Sequence, residues 1–511
     1  MSNKQGKAGG ALALCAVLLL SGCSGISDKA AEANGKSAPE DGKEVVLTLW
    51  GGDDFLKGDD SPGQRMVKAY NEKHKGKVRV EAKYMPWAEY HTAIQAAATS
   101  NELPDVFVTP QNTDVRTVVA SGWALPFDGI VSDQWKKQFA EGSFQEGVNM
   151  IDGKTYSWPI TGPVLTSILY YNKDVLKNAG LDPEKPPKTW DELRSMARTV
   201  TEKGKGDVYG LVFSGGESAT ASGITKIVDG LAAGLNKEEV GDGSYRFNYK
   251  TGTYAFDSKA TIDSFAFLNE LKNDGSILPS SYTMKLAEAT VLFGQAKAAF
   301  FIEGRARMWI IKRDTPGANF GLAAVPTQDG SKPGYYYNRA TGTGYLISAH
   351  TKHPKETGEF IENGFASPLF YENYLNKGVA LTPIESINND KKLYPYPEFE
   401  QFVRLHKDLL HERPNYAVRN PQTAKVIVEL GALSQPKIRP AFGEILQAGL
   451  TGAQKDWAGA LRAYNDKANK GLDDAIGKIK SGGVNVSRND FSFPNWDTDK
   501  DFTVDDYKRL K

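Results

Sequence analysis

Glu44-Val45-Val46-Leu47-Thr48-Leu49-Trp50, followed at once by Gly51-Gly52, reads as a buried strand running into a turn. Downstream, the spacing of Met66, Ala69 and Tyr70 predicts a helix within Ser61 to Lys75, and Lys77-Val78-Arg79-Val80-Glu81-Ala82 alternates as a second strand. A second helix is expected over Ala88 to Thr99, with Tyr90, Ile94, Ala97 and Ala98 turned inward. Pro104-Asp105-Val106-Phe107-Val108 then begins a third strand. Strand, helix, strand, helix, strand implies an α/β sheet with helical crossovers. Ligands reach such sheets at the carboxyl ends of the strands, so Trp50 to Asp53 and Thr109 to Asn112 are site candidates by position.

A chain of 511 residues exceeds what one hydrophobic core usually fills, and two domains with a groove between them are expected. Lys plus Arg and Asp plus Glu each number 62, which leaves no field that would favour nucleic acid or a long polyanion. One of the two cysteines, Cys15, lies in the apolar run Ala11 to Leu20. That run is too short to cross a bilayer and follows Lys4 and Lys7 as a signal-peptide core does.

The other cysteine ends Leu20-Ser21-Gly22-Cys23, which resembles the bacterial lipobox. That resemblance implies lipid on the Cys23 thiol, removal of residues 1–22, and anchorage to the extracytoplasmic face of a bacterial membrane, with a Gram-positive source expected. A chance cysteine behind an ordinary secretion signal is the alternative. Residues 23–43 read as a tether, because Ser24 to Lys43 is rich in Ala, Gly, Ser and charge and has no apolar face to offset the entropy of ordering. With its remaining cysteine lipidated, the mature chain would have no disulfide.

Gly153-Lys154-Thr155-Tyr156-Ser157-Trp158-Pro159-Ile160 leads into Ser167-Ile168-Leu169-Tyr170-Tyr171-Asn172-Lys173-Asp174. A Pro-rich loop and a helix capped by Thr189 against Glu192 follow. Together with Leu103-Pro104-Asp105-Val106-Phe107, Gly122 to Asp128, Phe293 to Phe300, Phe301 to Trp309, Phe320 to Pro326 and Gly342 to Ser348, this order resembles the family 1 extracellular solute-binding proteins of sugar ABC importers. The resemblance covers nearly the whole mature chain. It implies a two-lobed α/β fold of the periplasmic-binding-protein kind, with a ligand crevice and discontinuous lobes: 44–158 with 345–395, and 159–344 with 396–480. Residues 481–511 stand as a C-terminal extension, and the length is closer to the complex-oligosaccharide subgroup. The implied partners are an oligosaccharide, the permease subunits of an importer and, through Cys23, the membrane; the protein is expected to be a monomer.

Sugar recognition needs flat apolar surfaces against ring C–H faces and polar groups against hydroxyls. Trp50, Trp158, Trp309 and Tyr337 are the aromatic candidates, with Trp158 and Trp309 expected on opposite walls; core packing is the competing role for each. Asp53, Gln111, Asn112, Glu217 and Asn338 are candidates for hydroxyls, against solvated loop or helix-cap roles. Arg305, Arg307 and Arg339 raise a uronate carboxylate as ligand, Arg307 first because it is two residues from Trp309. Pairing with acids is their simpler use. Pro159, Gly162 and Pro163, with Gly342 and Gly344, are expected to set loop directions at the lobe crossings, or to be static turns.

No nucleophile elbow, HExxH site, Walker A loop or complete dinucleotide fingerprint is present, and the six histidines have no metal spacing, so no enzyme and no cofactor are expected. A glycosidase or lyase carboxylate pair, a peptide-import role and a purely structural surface role are the alternatives. Asp497, Asp499 and Asp501 resemble part of a calcium loop, but Phe502 stands where that loop has Gly and Lys508 where it has Glu. A solvated acidic turn, with Tyr507 and Leu510 anchoring a terminal helix, is the expected reading.

Overall fold

The computed structural model describes residues 43–510 apart from 111–112, 218–222, 242–244, 341–343, 379 and 435–437. The signal, lipobox and tether readings, Cys23 included, lie outside the described residues, as do Gln111, Asn112 and Gly342.

The two largest of the five sheets among the described residues organise the chain from Glu44 onward. In the first, the strand Val45–Gly51 lies between parallel neighbours Val78–Tyr84 and Val106–Val108; Tyr345–Ser348 and Ala124–Leu125 complete it with antiparallel pairing. In the second, Ile168–Asn172 runs antiparallel to Phe320–Ala323 on one side and to Ala298–Glu303 on the other, which is in turn parallel to Tyr209–Val212. The first sheet takes strands from both before and after the second, so the lobes are discontinuous along the chain, as the resemblance implied.

Local chemistry explains the elements. Leu47 and Leu49 are buried on one face of the first strand, while Val106, Phe107, Val108 and all of Ala298–Glu303 are buried on both faces, as strands between helical layers must be. Helix Pro62–Lys73 starts on Ser61, whose hydroxyl accepts from Gln64 N, with Pro62 in the first turn; Met66 and Tyr70 are buried. The Thr189–Glu192 capping box forms as the sequence suggested. Among the described residues no helix is long and apolar enough to cross a membrane.

The chain passes between the sheets through segments that include 156–167, 338–340 and 380–397, and the first and last of these meet. Gly162 N donates to Leu381 O at 2.9 Å, and Thr109 N to Gly344 O at 3.3 Å. A β-carbon on Gly162 would overlap Thr382 O, and one on Gly344 would overlap Ser157 Oγ. Both glycines are therefore required for close approach of neighbouring segments, a different reason from loop direction.

Residues 487–510 do not trail away. Phe491, Phe493, Trp496 and Phe502 bury themselves with Phe247, Tyr249, Tyr336 and the helix Trp457–Ser481 in a third apolar cluster. Tyr507, in the terminal helix Val504–Lys508, packs edge-on against Phe502 and Phe493.

Candidate functional site

The carboxyl ends of the two sheets carry the polar side chains. On the first, Gly51-Gly52 brings the chain to Asp53, whose Oδ2 accepts from Tyr345 OH at 2.8 Å. Gly51 permits this, because a β-carbon there would occupy the place of the Tyr345 hydroxyl. Gly52 in turn packs under Trp87, where a β-carbon would lie 2.7 Å from the indole. Trp87 is 37% exposed and stacks on His91, so an aromatic face stands beside Asp53.

On the second sheet, Val212 and Phe301 are paired in register, and two residues beyond them stand Ser214 and Glu303. Glu303 is 4% exposed; its Oε2 accepts from Gly304 N at 2.8 Å and its Oε1 has no partner. Burial pushes its carboxyl above the ordinary range, against the pull of Arg307 and Lys226, while Glu217 adds to the rise. Ser214 Oγ and Arg305 Nε are likewise buried without a partner. Tyr170 OH donates to Gly304 O at 2.9 Å and so fixes this turn. Burial raises the Tyr374 hydroxyl, on a helix packed against the first lobe, while Arg305 opposes that rise and Asp53 adds to it. Arg305 and Asp53 thus share one electrostatic neighbourhood across the two sheets.

The sequence candidates divide. Trp158 is 1% exposed, its ring lies among Phe127, Trp135, Tyr345 and Phe365, and its Nε1 donates to Tyr371 OH at 3.1 Å. It is a core residue and offers no face to a ligand, which corrects the expectation of a crevice wall. Trp50 is half-buried, with the Lys83 ammonium 5.0 Å from its ring centre. Trp309, half-buried in helix Arg307–Asp314, carries the Arg313 guanidinium 4.8 Å from its ring. Glu217 Oε1 accepts from Leu286 N at 2.7 Å, in the first turn of helix Leu286–Gly294, which is the cap role weighed against ligand binding.

Arg339 is committed elsewhere. It donates from Nε to Tyr337 OH at 2.7 Å, from Nη1 to Glu141 O at 3.0 Å and from Nη2 to Asp501 Oδ2 at 2.9 Å. Asn338 is buried, donating to Gln145 Oε1 at 3.3 Å and accepting from Ala340 N. The acidic turn also resolves into separate pairs, since Asp497 meets Lys500, Asp499 meets Lys237 and Asp501 meets Arg339 and the Glu412 amide. Among the described residues no group of carboxylates, histidines or cysteines is arranged to hold a metal ion.

Two cavities adjoin the crossing segments, and Thr161, Gly162, Tyr337 and Asn338 line both. One, of about 530 Å³, has Glu385, Asn388, His406 and His411 in its lining beside Leu381, Val403 and Leu410. The other, of about 430 Å³, is lined by Tyr245, Tyr249, Tyr336, Tyr337 and Tyr416 with Arg413. Tyr336 and Tyr337 were legible in the sequence as aromatics before the second crossing, whereas Tyr245, Tyr249 and Tyr416, which come from distant segments, were not. Ser214, Glu303 and Trp87 carried a positional signal, each lying at or beside the carboxyl end of a strand. Tyr374 carried none.

Known proteins resemble this chain in sequence and in fold. A binding protein of Brucella abortus is 28% identical over 226 residues, which is 43% of this chain and 48% of that protein, so the match spans about half of the relative's length. The sn-glycerol-3-phosphate-binding periplasmic protein of Agrobacterium fabrum is 23% identical over 329 residues, 64% of this chain and 69% of that protein. The cyclic alpha-maltosyl-1,6-maltose binding protein of Arthrobacter globiformis superimposes with a TM-score of 0.59 at 21% identity, covering 84% of this chain and 100% of its own. The GacH receptor of Streptomyces glaucescens does so at 0.59 and 20%, covering 84% and 99%. At these identities the structures speak for a shared two-lobed fold. The family of bacterial extracellular solute-binding proteins matches residues 57–366, more than half of the 511, and the chain belongs to it.

Proposed function

We propose that this protein captures an oligosaccharide between its two lobes and delivers it to the permease of an ABC importer, without chemical change to the ligand. The carrying observation is the set of buried, unpartnered polar atoms at the second sheet's carboxyl ends, Ser214 Oγ, Glu303 Oε1 and Arg305 Nε, with Asp53 at the carboxyl end of a strand of the first sheet. A buried polar atom left unpaired costs about 1–3 kcal/mol, and a sugar hydroxyl, which both donates and accepts, can satisfy any of the three. Contacts made to both lobes at once favour the closed arrangement over the open one. Trp87, against Gly52 in the first lobe, and Trp309, six residues after Glu303, are the candidate aromatic surfaces. The names of similar structures, which include maltose-type and acarbose-bound receptors, support a carbohydrate ligand.

A uronate-bearing ligand is supported by Arg305 and Arg307, which have no carboxylate at ion-pair distance among the described residues. For the lobe limits we keep 44–158 with 345–395 and 159–344 with 396–480, and for the assembly a monomer. Lipid on Cys23 would hold the protein at the outer face of the membrane; Cys23→Ser should abolish labelled-lipid incorporation, and unchanged labelling would refute the anchor.

The whole reading is tested by screening the protein on a glycan array and then recording small-angle scattering with and without a retained oligosaccharide. Compaction on saturation is expected. Failure of every glycan to bind, neutral or acidic, would overturn the reading.

A further inference from the structure

The tyrosine-lined recess lies apart from the strand-end cluster but adjoins it, because Thr166 lines the recess while its carbonyl oxygen faces Gly304, 3.5 Å from where a β-carbon there would stand. Its rings come from three places: Tyr245 and Tyr249 flank the strand Arg246–Asn248, Tyr336 and Tyr337 end the strand Tyr335–Tyr337, and Tyr416 opens the helix Tyr416–Arg419. Burial raises the hydroxyls of Tyr245, Tyr336, Tyr337 and Tyr416 above their ordinary range, so they remain protonated and able to donate.

The walls are braced from behind. Trp496, buried, meets Tyr336 edge-on with ring centres 4.7 Å apart and Tyr249 at 5.9 Å. Tyr336 OH donates to Thr498 O at 3.0 Å, and Phe493 N to Tyr249 O at 2.7 Å. Arg413 sits over the Tyr249 ring and donates to its hydroxyl at 2.6 Å. Behind Val240 and Gly241, the buried Arg246 pairs with Asp229 at 3.1 Å and Glu239 at 3.2 Å. Tyr249 and Tyr336 are themselves buried and back the wall, while the half-buried rings of Tyr245, Tyr337 and Tyr416, with hydroxyls at their edges, match the C–H face and rim hydroxyls of a sugar ring.

We propose that this recess is a subsite for an outlying unit of the oligosaccharide, and that the C-terminal segment around Trp496 and Thr498 sets its shape. The inference rests on the reading given under Proposed function. One ring cannot fill both places, so the protein selects for chain length. Trp496 is a positioning residue that acts through Tyr336 and Tyr249.

The test is calorimetric titration with mono- to pentasaccharide series of β-1,4-mannose, β-1,4-xylose and α-1,4-galacturonic acid, on the full chain and on Tyr245→Ala, Tyr416→Ala, Trp496→Ala and Trp496→Phe. In a series that binds, the tyrosine variants should weaken the longer members by about tenfold or more and leave the shortest binding member unchanged. Trp496→Ala should lose the same increment and Trp496→Phe retain most of it. Tyr245→Ala and Tyr416→Ala alter lining side chains and keep the test open if Trp496→Ala fails to fold. Equal effects at every length, or none at any, would overturn the subsite while leaving the oligosaccharide reading intact. Failure of the unaltered protein to bind any member of all three series would count against that reading and the subsite together.

Discussion

Gly162 lies so close against Thr382 that a β-carbon would overlap the Thr382 carbonyl oxygen, and its own amide donates to the adjoining Leu381 O at 2.9 Å. Two of the segments that join the lobes are thus in backbone contact, and Thr382 is itself held by Asn388 through hydrogen bonds of 2.8 and 3.0 Å. Lobe movement must preserve or slide this contact. Gly162→Ala should therefore destabilise the protein by about 1–3 kcal/mol, the usual cost of overpacking, in equilibrium urea unfolding. An unchanged midpoint would show that the segments can part freely.

Trp158 belongs to the first lobe's core, so Trp158→Ala should cost about 3–5 kcal/mol in the unfolding of the ligand-free protein. Trp158→Phe should recover most of that loss, although Tyr371 OH would lose its indole donor. A normally stable Trp158→Ala protein with impaired ligand binding would return this residue to the site.

Trp309 leads to the opposite expectation. It is half-buried, with the Arg313 guanidinium over its ring, and Trp309→Ala should weaken oligosaccharide binding by about 1–3 kcal/mol while changing stability less. A loss confined to folding would make it a packing residue.

Stability should depend on pH through two groups near the crossings with opposite slopes. Burial raises the Glu412 carboxyl from 4.5 to about 7, opposed by Arg339, Arg413 and Gln145. The folded state then holds that proton more tightly than the unfolded chain, so the contribution present below pH 4.5 is lost as the pH rises to about 7. His406 is lowered from 6.5 to about 3 by burial, its Nε2 accepting from Leu165 N at 3.1 Å. Its contribution is present above pH 6.5 and lost as the pH falls towards about 3. Glu412→Gln, which can still accept from the Arg339 amide, should remove a decline of up to about 1.4 kcal/mol per pH unit between those limits. Denaturant unfolding of parent and variant across pH checks this, and parallel curves would contradict it.

How much of this was legible in the sequence depended on whether the cause was local. The first strand and the helix after Ser61 followed from apolar spacing and a cap, and the Thr189–Glu192 box from a separation of three residues. Trp158 was misread because its surroundings come from Tyr371 and Phe365, more than 200 positions away. Arg339 had the charge to meet a uronate, yet Asp501, 162 residues on, takes it up. The tyrosine recess was invisible for the same reason, since no window of sequence holds Tyr245, Tyr336 and Tyr416 together. Strand ends were the exception, where position alone pointed to Asp53.

The central claim is that one oligosaccharide is held by groups from both lobes. Its most direct test is calorimetric titration of the full chain and of Asp53→Asn and Arg305→Ala with an oligosaccharide retained on the glycan array. Saturable binding of one ligand per chain is expected, weakened by about tenfold or more in each variant, since each removes a polar partner from a different lobe. Full affinity in both variants, each folded as well as the parent, would contradict it.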